Sequence, residues 1–302
     1  MDYKTALVTG VSGFIGTHLV SMLRELFPSA RIIGMARSVP QVHEEILGLD
    51  LLRRDEVFSA MAEIRPDYVF HLAGAVHTKD WEVLYRGNVE ATINLLDALA
   101  HAGGDARIVI AGSAAEYGLV APHDLPLTED RSPNPVSAYG ASKAWQTAVV
   151  RYYANQGMNV AIGRVFNIVG KGMSEMLSVA AFALQIRKIR NGQAPARLLV
   201  GNLEPRRDFV DVADVCHAFI GLAQKGRRGE IYNICSGSSV SIKQMLALMI
   251  EQAGIAVDLV TDPLRLKSSD IPDTYGSCAK ISAEIGWTPK VSLEKSLSNI
   301  LN

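Results

Sequence analysis

The sequence predicts an α/β protein: a doubly wound parallel sheet joined to a smaller mixed α/β lobe that binds substrate. Three observations carry the prediction. Short, almost continuously apolar runs alternate with helix-length stretches through the first 167 residues, a glycine-rich turn follows the first of those runs, and the rhythm changes after Asn167. Strands covered on both faces lose the in-and-out alternation of a one-sided sheet, and the helices between them supply the crossovers that parallel strands need.

Taken in order, the first strand is residues 5–9, Thr-Ala-Leu-Val-Thr. It lies so near the amino terminus that no signal peptide is expected before the fold. A helix over 14–26 follows, then a strand over 31–35, a further short apolar run before Asp50, and a helix over 55–64. Pro66-Asp67 opens a strand over 68–72, followed by a helix over 81–100, a strand over 107–111, a helix over 138–156 and a strand over 160–165. In such sheets the ligand sits beyond the carboxyl ends of the strands. Beyond Asn167 a helical stretch over 174–190 stops at Asn191-Gly192. Short strands (198–200, 231–234, 256–260) then mix with helices over 212–223 and 242–253. The expected division is a cofactor domain over 1–167 and a substrate lobe over 168–302, some of whose segments return to the first.

Composition narrows the classes of function. The chain has 302 residues, 48% of them hydrophobic and 20% charged, enough to fill a sizeable core. A formal net charge of −1 with no run of one sign argues against nucleic acid or an anionic membrane as partner. The apolar stretches fall short of a membrane span. Cys216, Cys235 and Cys278 are scattered and odd in number, which speaks against a disulfide framework and fits a reducing cytoplasm. His43, His77 and His101 lack ligand spacing, so no metal is expected.

Gly10-x-x-Gly13-x-x-Gly16 sits between the first strand and its helix. Such glycines allow a tight turn, close approach of backbone to a pyrophosphate, and packing of helix on strand, as in a Rossmann-like dinucleotide site. Gly10, Ser12, Gly13, Phe14, Ile15 and Gly16 are the expected cofactor cradle. The second strand ends Met35-Ala36-Arg37-Ser38, without the acid that would accept from a free 2′-hydroxyl. Arg37 could clamp a 2′-phosphate and Ser38 add a donor, which favours NADP(H) over NAD; a solvated strand-end arginine is the plain alternative. Asp50-Leu51 are placed at the adenine edge, and Leu72-Ala73-Gly74 along the cofactor where the next strand ends.

The strand over 107–111 runs into Gly112-Ser113-Ala114-Ala115-Glu116-Tyr117-Gly118, and Tyr139-Gly140-Ala141-Ser142-Lys143 follows on a helix. Tyrosine and lysine at i and i+4 share one helix face. Ser113 would bond a substrate oxygen and Tyr139 would pass it a proton. Lys143, beside the phenol, would favour the phenolate and hold the nicotinamide ribose. Tyr-x-x-x-Lys alone is common by chance; joined to the glycine loop and the strand-end serine it is specific.

These residues resemble the extended short-chain dehydrogenase/reductases that act on nucleotide sugars. The likeness spans TGVSGFIG, FHLAG, GSAAEYG, SAYGASK, RVFN, RRDFVDVAD, YNICSG and IGWTPK. VGNLEPRRDFVDVAD and DPLRLKSSDIPDTYGS bring it nearest to the reductases of GDP-4-keto-6-deoxy-D-mannose. The resemblance implies Ser113, Tyr139 and Lys143 as catalytic. It implies Asn167 near the nicotinamide and sugar, Arg207 on the nucleotide diphosphate, Lys267 near the phosphates and Asp270 on the nucleotide ribose. Glu116 is placed at the substrate rim, with a surface role as the alternative. Where the dehydratases carry an acid two residues after the catalytic Ser/Thr, this chain has Ala115, so elimination of water lacks its acid. FNHIGPGQ of the reductases reads Phe166-Asn167-Ile168-Val169-Gly170-Lys171-Gly172-Met173 here, which leaves base and sugar open.

The implied activity is NADPH-dependent reduction of the 4-keto group of a nucleotide-activated 4-keto-6-deoxy-hexose, in deoxysugar and polysaccharide biosynthesis. A GDP-, dTDP- or CDP-linked sugar is possible. The alternatives are a nucleotide-sugar 4-epimerase that retains NAD, and a cofactor-sensing regulator, against which the intact tyrosine and lysine argue. A homodimer is expected through the helices over 81–100 and 138–156, with Leu84, Ile93, Ala144 and Val149 as spare apolar positions.

Overall fold

The computed structural model describes residues 4–37, 45–265 and 271–302. Ser38, His43, Lys267 and Asp270 lie outside the described residues.

Six strands appear in chain order: β1 (Thr5–Thr9), β2 (Arg31–Ala36), β3 (Glu45–Gly48), β4 (Tyr68–His71), β5 (Arg107–Ser113) and β6 (Val160–Val165). With Ile231–Ile234 at one edge they form a seven-stranded sheet, in the order Ile231–Ile234, β6, β5, β4, β1, β2, β3. Every neighbouring pair is parallel. The predicted doubly wound sheet is therefore present. β3 is the run before Asp50, too short and too polar at its ends to read as a strand from sequence. The order reverses between β1 and β4, and the crevice at that switch point is where such a sheet takes its ligand.

Alternation along the strands splits the core in two. Val8, Phe70 and Val109 turn to one face, under the helices Phe14–Leu26 and Val212–Lys225. Leu7, Val69 and Ile108 turn to the other, under Arg54–Ile64, Ala91–Ala102 and Ala138–Asn155. Each fully buried Leu, Val or Phe contributes roughly 1.5–3 kcal/mol relative to exposure. A third cluster, including Phe182, Leu198, Met245 and Leu297, gathers Ser178–Arg190, Ile242–Ala253 and Leu293–Leu301. Among the described residues no helix is long and apolar enough to cross a membrane.

The helix expected over 81–100 is composite. Trp81–Leu84 opens on the Asp80 cap, Tyr85–Glu90 forms a π turn, and Ala91–Ala102 continues. The π turn is the segment that carries Asn88 inward. Of the apolar positions expected to be spare, Leu84 is 0% exposed within its own chain and is unavailable to a partner. The large apolar side chains that these helices expose are Val83 and four aromatics, Trp81, Tyr85, Trp145 and Tyr152. Trp81 and Trp145 bring their ring centroids to 5.6 Å.

Candidate active site

At the carboxyl end of β1 the chain turns through Gly10 at φ +71, and the Gly10 amide donates to the Met35 carbonyl at 2.9 Å. A Cβ on Gly10 would stand 2.7 Å from the Ala73 nitrogen, and one on Gly16 2.3 Å from the Gly10 oxygen. Only glycine fits at either position. The helix Phe14–Leu26 starts after Gly13 with no side-chain cap, which leaves its first amides and positive dipole end for an anion. Ser12 and Gly13 are exposed, while Phe14 and Ile15 are half-buried. This cradle fits the pyrophosphate of a dinucleotide.

Across the switch point, Leu72 and Ala73 are pinned to Thr9: the Leu72 amide donates to the Thr9 carbonyl at 3.3 Å and the Ala73 amide to Thr9 Oγ1 at 3.2 Å. Gly74 follows, exposed. Arg37 is exposed just beyond the end of β2, beside the glycine loop. The Asp50 carboxylate accepts from the Leu52 amide at 3.0 Å, and Leu51 is buried with its carbonyl taking Asn94 Nδ2 at 2.9 Å. The cofactor-side residues thus share one end of the sheet.

Ser113 closes β5, and Ser137 caps the helix Ala138–Asn155 by accepting from the Gly140 amide at 3.0 Å. That helix presses on the turn after β5 so closely that a Cβ on Gly140 would lie 2.4 Å from the Ala115 oxygen. The approach sets the Ser113 hydroxyl near the Tyr139 phenol, whose pKa it pulls down. Lys143, one turn on, donates from Nζ to the Ala111 carbonyl at 2.6 Å and to Gln146 Oε1. The three residues are together.

Their electrostatics differ from expectation. Burial pushes the Tyr139 pKa above the ordinary phenol value; the Ser113 hydroxyl offsets part of this and the charge of Glu116 adds to it. Lys143 was expected to favour the phenolate, but its ammonium is committed to Ala111 and Gln146. Burial brings Lys143 itself down to about 8, against a smaller opposite pull from Glu116.

Glu116 is not at a substrate rim. It is wholly buried: Oε1 accepts from the Ser113 amide at 3.0 Å, and Oε2 from Thr147 Oγ1 at 2.9 Å and Arg164 Nη2 at 2.8 Å. Arg164, itself buried, stacks 4.5 Å from the centroid of the Tyr117 ring. A carboxylate facing a fixed guanidinium stays inside, and here it holds the Ser113 backbone. The sequence signal was Arg164 within an otherwise apolar strand, a charge that must find a partner.

Asn167 is exposed and donates from Nδ2 to the Asp208 carbonyl at 3.0 Å. Arg207 is half-buried, with Nη1 donating to the Arg206 and Ile271 carbonyls, each at 2.7 Å. Between them, Asp208 was passed over by sequence reasoning. Its buried carboxylate accepts from the Ser236 amide and hydroxyl, both at 2.7 Å, from the Gly237 amide at 3.1 Å and from the Gly276 amide at 3.2 Å. It ties three segments around Arg207. An acid between arginine and phenylalanine in a strand-like run was the available clue.

The profile of the NAD dependent epimerase/dehydratase family matches residues 6–235. The chain belongs to that family. GDP-6-deoxy-D-mannose reductase of Pseudomonas aeruginosa is 32% identical over 300 residues, 98% of this chain and 95% of that protein. The dTDP-6-deoxy-L-talose 4-dehydrogenase (NAD(P)(+)) of Kitasatospora kifunensis is 28% identical over 97% of this chain and 93% of its own length. Among solved structures, RMD from Pseudomonas aeruginosa complexed with NADPH superposes with a TM-score of 0.88 at 31% identity, covering 99% of this chain and 96% of that one. As a member of the epimerase/dehydratase family this chain is an NAD(P)-dependent enzyme.

Proposed function

We propose that this chain reduces the 4-keto group of a nucleotide-linked 4-keto-6-deoxy-hexose with NADPH, the favoured substrate being GDP-4-keto-6-deoxy-D-mannose. The observation that carries the reading is the meeting of Tyr139, a half-buried phenol on the helix Ala138–Asn155, with Ser113 at the end of β5 and Lys143 one turn on, whose Nζ reaches the Ala111 carbonyl of that strand. A group so placed gives a proton, which is what a carbonyl oxygen needs as its carbon is reduced. The dinucleotide, when bound, supplies the hydride. Ser113 donates to the keto oxygen, Tyr139 protonates it, and Lys143 holds the nicotinamide ribose. Gly10, Ser12, Gly13, Phe14, Ile15 and Gly16 take the pyrophosphate; Asp50 and Leu51 lie toward the adenine, and Leu72, Ala73 and Gly74 along the ribose. Arg37 takes the 2′-phosphate, and its exposure at the end of β2 supports that role. Asn167 and Arg207, with Lys267 and Asp270, are assigned to the sugar and nucleotide. Residues 1–167 act as the cofactor domain and 168–302 mostly as the substrate lobe.

Two further points belong to this reading. The aromatic face of Trp81, Tyr85, Trp145 and Tyr152 is the surface through which two copies pair. The three free thiols suit a reducing cytoplasm. The test of function is to mix purified protein, NADPH and GDP-4-keto-6-deoxy-D-mannose and follow the near-ultraviolet absorbance of the reduced cofactor. It should fall in step with sugar consumed. Protein that leaves NADPH untouched, and that releases bound NAD on denaturation, would be an epimerase instead.

A further inference from the structure

A buried chain of hydrogen bonds runs from Lys143 back to the dinucleotide loop. Lys143 Nζ donates to Gln146 Oε1, and Gln146 Nε2 donates to Thr92 Oγ1 at 2.8 Å. Thr92 Oγ1 also meets His71 Nε2 at 2.9 Å, and His71 Nδ1 meets Thr9 Oγ1 at 2.8 Å. Thr9 immediately precedes Gly10. The directions are fixed by supply and demand. Thr92 spends its one hydroxyl proton on the Asn88 carbonyl at 2.7 Å, so it accepts from both Gln146 and His71. His71 therefore carries its proton on Nε2 and accepts at Nδ1 from Thr9. Burial drives the His71 pKa down to about 3, so the ring is neutral. A carboxamide in the middle of the chain is a poor proton carrier, so the chain holds geometry and does not relay charge.

We infer that Gln146 is a positioning residue: its oxygen sets the place of the Lys143 ammonium, and its amide nitrogen locks that place to the end of β1 from which the glycine loop springs. The inference rests on the role proposed above for Lys143. It explains why four polar side chains (Thr9, His71, Thr92 and Gln146) are buried between a sheet and two helices, where an unpaired polar group is costly. The ionisable groups around Lys143 are Glu116 on the turn after β5, His71 at the end of β4 and Tyr139 on its own helix. None of them is changed by a substitution at position 146.

The experiment compares Gln146→Leu, Gln146→Glu and Lys143→Met with the wild type. It measures NADPH affinity by fluorescence, kcat/KM against pH, and the Lys143 side-chain titration by NMR in protein labelled at lysine Cε without cofactor. Gln146→Leu removes a neutral acceptor, so the ammonium gives up its proton at lower pH and the alkaline fall in rate moves down. Gln146→Glu adds a negative charge, so both the titration and the alkaline fall move up. Turnover of the Leu variant should drop roughly tenfold to a hundredfold, the scale of a lost hydrogen bond to a charged group. Should the Leu variant fail to fold, the Glu variant, which keeps the oxygen, decides by the direction of its shift. If Lys143→Met keeps wild-type turnover and NADPH affinity, the catalytic reading fails. If Lys143→Met is inactive while the folded position-146 variants match the wild type in rate, affinity and titration, the positioning role alone is overturned.

Discussion

The phenol of Tyr139 lies between its own helix and the turn after β5, and the Ser113 hydroxyl offsets only part of the cost of ionising it there. Replacing Tyr139 with phenylalanine keeps the ring and removes the proton, so folding and NADPH affinity should survive while kcat falls by at least about a hundredfold, the lower range for general acid catalysis. Steady-state kinetics beside cofactor titration checks this, and near wild-type turnover would remove Tyr139 from the chemistry. Arg37→Asp should turn preference from NADPH toward NADH, because a carboxylate repels a 2′-phosphate and accepts from a 2′-hydroxyl. An unchanged ratio of kcat/KM for the two cofactors would show that Arg37 is solvated only. These residues were legible in the sequence because their chemistry needs fixed spacing: one helical turn from Tyr139 to Lys143, and a strand end for Ser113. Glu116 was not legible, since its meaning depends on Arg164, which lies on β6 and reaches it only through strand pairing.

At the scale of elements, the Glu116–Arg164 pair joins the turn after β5 to β6 and, through Thr147, to the helix Ala138–Asn155. Glu116→Gln leaves a buried guanidinium without its counter-charge and should destabilise the protein by roughly 3–5 kcal/mol, as breaking buried pairs does. Urea unfolding measures it. Loss of turnover at unchanged stability would instead return Glu116 to the substrate. Buried strands were readable because two-sided burial makes them continuously apolar. β3 escaped for the opposite reason: as an edge strand with the pattern Glu-Ile-Leu-Gly it buries little. The π turn at Tyr85–Glu90 also escaped, because nothing in a helical repeat marks where one residue is added to bring Asn88 to Ala75 and Ser142.

For the whole molecule, the sheet order puts the glycine loop, the end of β4 and the Ser113 turn on one rim, which is where the proposed reaction would bring hydride and proton together. The exposed aromatic face is the surface proposed for pairing of two copies. Light scattering should report a particle of twice the 32.7 kDa chain mass, and Trp145→Asp should halve it. A wild-type particle of single mass at micromolar concentration would sink the dimer. Topology was within reach of the sequence because alternating strands and helices have few parallel solutions. The sugar was not, since Arg207 and Asn167 are arranged by Asp208 through contacts with residues 236, 237 and 276. The central claim is hydride delivery to the sugar's keto carbon, and deuterium tests it most directly. The protein is incubated with GDP-4-keto-6-deoxy-D-mannose and NADPH carrying deuterium at the transferable nicotinamide position, and the product sugar is read by mass spectrometry. One deuterium on carbon 4 of a reduced product, with an equal amount of NADP formed, is the expected result; an unlabelled sugar beside unchanged NADPH would contradict it.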